Sequence, residues 1–167
     1  MLKLCALFLA LCLSLTACTQ TYYIVRHAEK AVVDGNTNMM ANDPPLTDKG
    51  KARAEALAEV LKTEKINHIF STNTLRTRST AEPLSRRLNL AIETYGSRPD
   101  SAFIKQLKGL NKNTLIVGHS NTVDDIVNML CNETKIPADL GDAEYDNLFI
   151  VKMKNGKAVF ERRKFGN

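Results

Sequence analysis

Short apolar runs bounded by turn residues alternate along the chain with longer segments whose apolar positions recur every three or four residues. That is the pattern of a parallel sheet covered by helices. The runs predict strands over 22–26, 68–71, 91–95, 114–118 and 148–153. Between the first two, a polar stretch ends in Asp43-Pro44-Pro45, and Thr47 stands as an N-cap ahead of a helix over 48–62. Its hydroxyl can accept a first-turn N–H, while Asp48 meets the positive end of the helix dipole. Ala54, Leu57, Ala58 and Leu61 form one stripe of that helix and read as core. The segment 74–88 also has helical spacing, but Pro83 removes an interior N–H and predicts either a kink or a start delayed to Ser79. Val123, Ile126, Val127 and Leu130 mark a helix after Ser120-Asn121, with Asp124 and Asp125 near its positive end. Alternation on both sides of Asn155-Gly156 predicts a hairpin whose last strand runs antiparallel at an edge. The segment 96–113 reads as a short insert. Together these elements predict an α/β fold: a three-layer α/β/α sandwich, mostly parallel, with an antiparallel C-terminal edge hairpin.

Composition and cysteine use separate the first residues from the rest. Lys3, the apolar stretch 4–15 and then Leu15-Thr16-Ala17-Cys18 have the layout of a signal peptide. The stretch is too short for a helix that must cross about 30 Å of hydrocarbon. Leu15-Thr16-Ala17-Cys18 resembles the lipobox of bacterial lipoproteins, whose precursors are cut just before a cysteine that carries acyl chains. The resemblance implies removal of 1–17, lipidation of Cys18, and a single domain over 18–167 held at the cell envelope by its lipid, outside the cytoplasm. Cys5 and Cys12 would leave with the peptide, so Cys131 would have no partner for an internal disulfide. About 150 residues suit one domain. The formal charge of +5 falls by one with Lys3, and acids and bases are interleaved. Arg162-Arg163-Lys164, the one dense basic cluster, reads as a solvated tail or a lipid-headgroup contact, and no nucleic-acid partner is expected.

Two strands end on histidine. Tyr22-Tyr23-Ile24-Val25-Arg26 runs into His27, and Thr114-Leu115-Ile116-Val117-Gly118 runs into His119. Open α/β sheets gather ligands at the carboxyl ends of their strands, so the two histidines can meet in one crevice. A third strand end leads into Ser71-Thr72-Asn73-Thr74-Leu75-Arg76-Thr77-Arg78-Ser79-Thr80-Ala81. Two histidines and two arginines suit phosphate: guanidinium forks grip phosphoryl oxygens, and a neutral imidazole can attack phosphorus.

These residues make the chain similar to the histidine phosphatase (phosphoglycerate-mutase-like) superfamily, in its smaller branch. The resemblance rests on Arg26-His27, Leu46-Thr47-Asp48-Lys49-Gly50, 71–81 and Gly118-His119-Ser120-Asn121. It implies that His27 is the phosphorylated nucleophile, that Arg26 and Arg76 bind the phosphoryl group, and that His119 completes the pocket. The implied activity is hydrolysis of phosphomonoesters or phosphoprotein without cofactor or metal. The competing class is an envelope protein that binds a phosphorylated ligand without turnover, and a mutase is a third possibility.

Ala28 stands where the family commonly has glycine, so the backbone there must avoid positive φ. The general acid is not placed by motif; Glu93 near the end of the third strand is the first candidate, followed by Asp100 and Glu29. Arg78 competes with Arg76, but the match at Thr80-Ala81 selects Arg76. His68 reads as a surface or capping histidine, because the histidines lack the spacing of a metal-ligand pair. Asn132-Glu133-Thr134 fits a glycosylation sequon by coincidence.

Overall fold

The computed structural model describes residues 19–32 and 43–166. The signal-peptide segment 1–17 and the lipidation position Cys18 lie outside the described residues.

The elements are β1 (Gln20–Arg26), α1 (Asp48–Leu61), β2 (His68–Thr72), α2 (Leu75–Leu88), β3 (Ile92–Tyr95), α3 (Ser101–Leu110), β4 (Thr114–Gly118), α4 (Val123–Cys131), β5 (Asn147–Lys154) and β6 (Lys157–Lys164). They build a 6-stranded sheet in the order β3-β2-β4-β1-β5-β6. The β1, β2, β3 and β4 pairings are parallel, while β5 runs antiparallel to β1 and β6 antiparallel to β5. The expected hairpin turns at Asn155-Gly156, and both residues take positive φ (50° and 74°).

Strand alternation sorts the core into two layers. Tyr22 and Ile24 of β1 join Phe70, Ile116 and Phe149 against Phe103, Ile104 and Leu107 of α3 and Val123, Ile126 and Val127 of α4. Tyr23 and Val25 point the other way, joining Ile69, Leu115 and Val117 against Leu57, Ala58 and Leu61 of α1 and Ala81 and Leu84 of α2. The helix that follows β1 and the helix that follows β4 thus lie on opposite faces. Between the carboxyl ends of these two neighbouring strands a crevice opens, as at other topological switch points.

Two local expectations need correction. The helix α2 does not start late at Ser79: it runs from Leu75, capped by the Thr74 hydroxyl, through Pro83 to Leu88. Only the Ser79 carbonyl loses its donor, and Pro83 is buried against the core. The segment 96–113 is not a plain insert but carries α3. Its N-cap Asp100 accepts from the Phe103 N–H at 2.8 Å, and Phe103 stacks on Tyr95 at 4.4 Å.

Candidate active site

β1 delivers Arg26 and His27 to the crevice, and the ladder continues one residue beyond the strand, since the His27 N–H donates to the Gly118 carbonyl at 2.9 Å. This pins His27 beside the end of β4, where His119 follows. The two imidazole centroids lie 5.5 Å apart with their planes inclined at 66°. Arg76, in the first turn of α2, reaches the same place, with Nη2 3.5 Å from His119 Nδ1. Arg26, His27, Arg76 and His119 therefore line one cleft of about 650 Å³, together with Lys30, Ser97, Asp142 and Tyr145.

Two glycines permit this convergence. A Cβ at Gly50 would lie 2.2 Å from the Glu29 carbonyl oxygen, so α1 could not approach the chain just after β1. A Cβ at Gly118 would lie 2.8 Å from both the Tyr95 hydroxyl and Thr122 Oγ1, at the residue that turns His119 into the cleft. Ala28 keeps a negative φ and is buried, as expected. Its N–H donates to Thr80 Oγ1 at 2.9 Å, which links the end of β1 to α2.

His27 is 4% exposed and its Nδ1 lies 2.8 Å from the Ala28 carbonyl. A carbonyl only accepts, so the ring proton sits on Nδ1 and Nε2 carries the lone pair. Burial, only partly opposed by that hydrogen bond and reinforced by the Arg26, His119 and Arg76 charges, holds its pKa down to about 3. Burial first, and then Arg76 and Arg26, likewise hold His119 down to about 4. Arg76 faces His119 Nδ1 and can only donate, so Nδ1 is the acceptor and Nε2–H points to Thr72 Oγ1 at 2.8 Å. Thr72 Oγ1 in turn contacts Thr77 Oγ1 at 3.0 Å.

Both arginines are held through their Nη atoms, and Arg26 Nη2 also donates to the Tyr145 hydroxyl at 3.4 Å. Arg26 Nη1 donates to the Gly141 and Asp142 carbonyls at 2.8 and 3.3 Å, and its guanidinium lies 4.1 Å from the Tyr145 ring centre. Arg76 Nη1 pairs with Asp43 at 3.1 Å. The Nε–H of each is buried without a partner. Two unmatched buried donors beside two neutral imidazoles are what an oxyanion would satisfy, because a buried unpaired N–H is unfavourable by about 1–3 kcal/mol.

The support for Arg26 was missed by sequence reading. Gly141, Asp142 and Tyr145 belong to the connection between α4 and β5, which folds back over the strand ends and is tied there by Leu140 N–H donating to the Ser120 carbonyl at 2.9 Å. No periodic pattern marks such a segment; a lone tyrosine in a polar stretch was the only signal.

The candidate acids need correction. Glu93 is not in the cleft: it lies on the edge strand β3 and is hydrogen-bonded to His68 Nδ1 at 2.8 Å. From β1 that is three strand spacings, or about 14 Å. Asp100 caps α3. Glu29 turns away from the cleft to pair with Arg53 at 2.8 and 2.9 Å. Burial pushes its carboxyl up, but hydrogen bonds from Arg53 and Lys49 outweigh burial and leave it below the usual range. Arg78 is exposed outside the cleft, as expected. Among the described residues no three His, Cys, Asp or Glu side chains are grouped to hold a metal ion.

Comparison with known proteins places the fold. Over 64 residues the chain is 36% identical to a probable phosphoglycerate mutase, GpmB, of Photorhabdus laumondii subsp. laumondii, a match spanning 38% of this chain and only 30% of that relative. Among solved structures, the protein histidine phosphatase SixA complexed with tungstate superposes with a TM-score of 0.67 at 22% identity, over 86% of this chain and 96% of that one. A phosphoglycerate mutase from Bacillus anthracis gives a TM-score of 0.59 at 16% identity, over 90% and 94%. Residues 22–97 match the histidine phosphatase superfamily (branch 1), and the fold over nearly all of the described chain is the one these solved relatives share.

Proposed function

We propose that the chain is a phosphatase of the histidine phosphatase superfamily, hydrolysing a phosphomonoester or a phosphorylated protein through a phosphohistidine on His27. The observation that carries this is the His27 imidazole, neutral and fixed with its Nε2 lone pair towards a cleft flanked by two arginines with unmatched donors. Nε2 attacks phosphorus, the bond to the leaving atom breaks, and the phosphoryl group rests on the ring. Water then attacks the phosphorus, the P–N bond breaks, and phosphate leaves with His27 neutral again. Arg26, Arg76 and His119 hold the equatorial oxygens in both steps. No cofactor or metal enters this scheme.

The cleft favours a particular leaving group. Among the described residues lining the cleft Asp142, on the exposed connection after α4, is the one carboxylate, and beside them Asp43 is paired with Arg76. With one acid engaged by an arginine and the other exposed, the cleft suits leaving groups that need little protonation, such as the imidazole of a phosphohistidine on another protein. The SixA fold likeness supports the same substrate class. The sequence motif at Cys18 further supports an envelope lipoprotein, tethered by acyl chains, whose domain acts outside the cytoplasm.

An aryl phosphate tests the chemistry, because its leaving group hardly needs a proton. The expected result is turnover by the wild-type protein and none above background for His27→Ala. Wild-type protein that binds inorganic phosphate yet turns over neither an aryl phosphate nor a phosphohistidine protein would instead be the binding lipoprotein. Mass spectrometry of the chain isolated from membranes tests the address: an acylated Cys18 at the new amino terminus supports it, and an unmodified cysteine overturns it.

A further inference from the structure

The strands enter the sheet at the pole opposite the cleft, and that pole is basic. Thr21 N–H donates to Asn113 Oδ1 at 2.9 Å, Asn113 Nδ2 donates to the Glu64 carbonyl at 2.9 Å, and Asn67 N–H donates to the Asn113 carbonyl at 2.9 Å. The start of β1 is thus bonded to the loop before β4, which is bonded to the loop before β2. On its other side Gln20 pairs with Met153, next to the β5–β6 turn, where Lys154 faces Lys157.

Each of these surroundings contributes lysine: Lys65 before β2, Lys112 before β4, and Lys154 and Lys157 at the hairpin. All four are exposed, and among the described residues none forms a salt bridge, whereas most lysines elsewhere, such as Lys51, Lys62, Lys135 and Lys152, do. The acid nearest to them in sequence, Glu64, accepts from the Tyr23 hydroxyl at 2.5 Å. Within the described residues the four charges are thus left to meet a partner outside the chain, and they surround the start of β1.

One residue, Thr19, separates Gln20 from Cys18. A single residue spans at most about 3.6 Å. Acyl chains on Cys18 would hold this pole within a Debye length of about 8 Å from the headgroups. From the geometry we infer that the pole carrying Lys65, Lys112, Lys154 and Lys157 is a docking surface for anionic lipid headgroups, and that it seats the domain with its cleft facing away from the bilayer. The seven residues of β1 set the cleft about 20 Å from that surface. There it is open to a large phosphorylated partner. This inference rests on the envelope reading for its orientation, but the lipid contact can be measured without the anchor.

Among the described residues, the six strands, the four helices and the buried core all lie from Thr19 onwards. That segment is mixed with vesicles of phosphatidylcholine alone, or with a third of phosphatidylglycerol, and sedimented at low and at physiological salt. A lysine near an anionic surface strengthens binding by about fivefold. The expected result is binding to the anionic vesicles only, weakened by salt, and reduced at least tenfold in the variant K65Q/K112Q/K154Q/K157Q. None of the four positions belongs to the cleft, so hydrolysis of aryl phosphate should be unchanged in that variant and report an intact fold. Equal sedimentation with neutral and anionic vesicles, or undiminished binding by the quadruple variant, would overturn the inference. Neither outcome bears on acylation of Cys18, which mass spectrometry reads separately.

Discussion

The Nδ1 of His27 and the carbonyl oxygen of Ala28 are 2.8 Å apart, and this contact between neighbouring residues decides which ring nitrogen can react. With Nδ1 protonated, only Nε2 has a lone pair. The expected phosphoenzyme is therefore the Nε2 isomer on His27. Rapid quenching with a labelled substrate should capture a label that survives alkali and is lost in acid, and the phosphorus resonance should identify the isomer. Label on any other residue, or on Nδ1, contradicts the assignment.

Thr72 occupies the matching place beside His119. Its hydroxyl takes the Nε2–H at 2.8 Å, leaving Nδ1 towards Arg76 and the cleft. Thr72→Val keeps the shape and removes that partner, so the ring loses its preferred tautomer. The expected loss in kcat/KM is about tenfold, the worth of one hydrogen bond of roughly 1.4 kcal/mol. Thr72→Ser should restore most of it. A valine variant as active as wild type would show that the hydroxyl does not orient the ring.

Behind His27, Glu29 and Arg53 form a two-pronged pair with side chains 13% and 9% exposed. Arg53 also donates to the carbonyls of Phe165 and Gly166, tying α1 to the end of the chain. Arg53→Met leaves the Glu29 carboxylate almost buried, with Lys49 at 3.4 Å as its remaining cation. Removing one partner of a buried pair is unfavourable by about 3–5 kcal/mol; Lys49 and residual exposure place this case near 2–3 kcal/mol. Urea unfolding should show that loss, and adding Glu29→Gln should recover part of it.

What the residues announced, and what they hid, follows from how each part is encoded. Arg26, His27 and His119 close the continuous apolar runs of β1 and β4; each is a weak signal alone, and their meeting was legible because open α/β sheets gather ligands at strand ends. Arg76 was legible because it follows a third strand end and the motif match at Thr80-Ala81 selected it over Arg78. α3 was missed although Asp100 is a cap and Phe103, Ile104 and Leu107 have helical spacing; ten residues give that spacing only about three turns in which to repeat. Glu93 misled because its sequence position near a strand end says nothing of where the strand sits in the sheet, and β3 is an edge. Tyr145 and the Gly141 carbonyl act from an irregular connection, and tertiary folding alone brings them under Arg26.

Acid should weaken the empty protein and strengthen its grip on an oxyanion. His27 and His119 are held down to about 3 and about 4 in the fold, against about 6.5 for an unfolded imidazole. Between these limits the unfolded state binds more protons, so stability rises with pH through the window from 4 to 6.5 and is lost as pH falls through it. Each unit of displacement corresponds to about 1.4 kcal/mol. A dianion between Arg26 and Arg76 reverses the balance at His119: its charge favours the imidazolium, whose Nδ1–H then donates to an oxygen. Binding therefore takes up a proton. Sulfate, a dianion throughout this range, should raise Tm more at pH 5.5 than at pH 7.5 when compared with chloride at equal ionic strength. Titration calorimetry in two buffers of different ionisation enthalpy should register the uptake. A sulfate effect that does not grow as pH falls would mean that His119 stays neutral beside the anion, and that the arginines alone carry its charge.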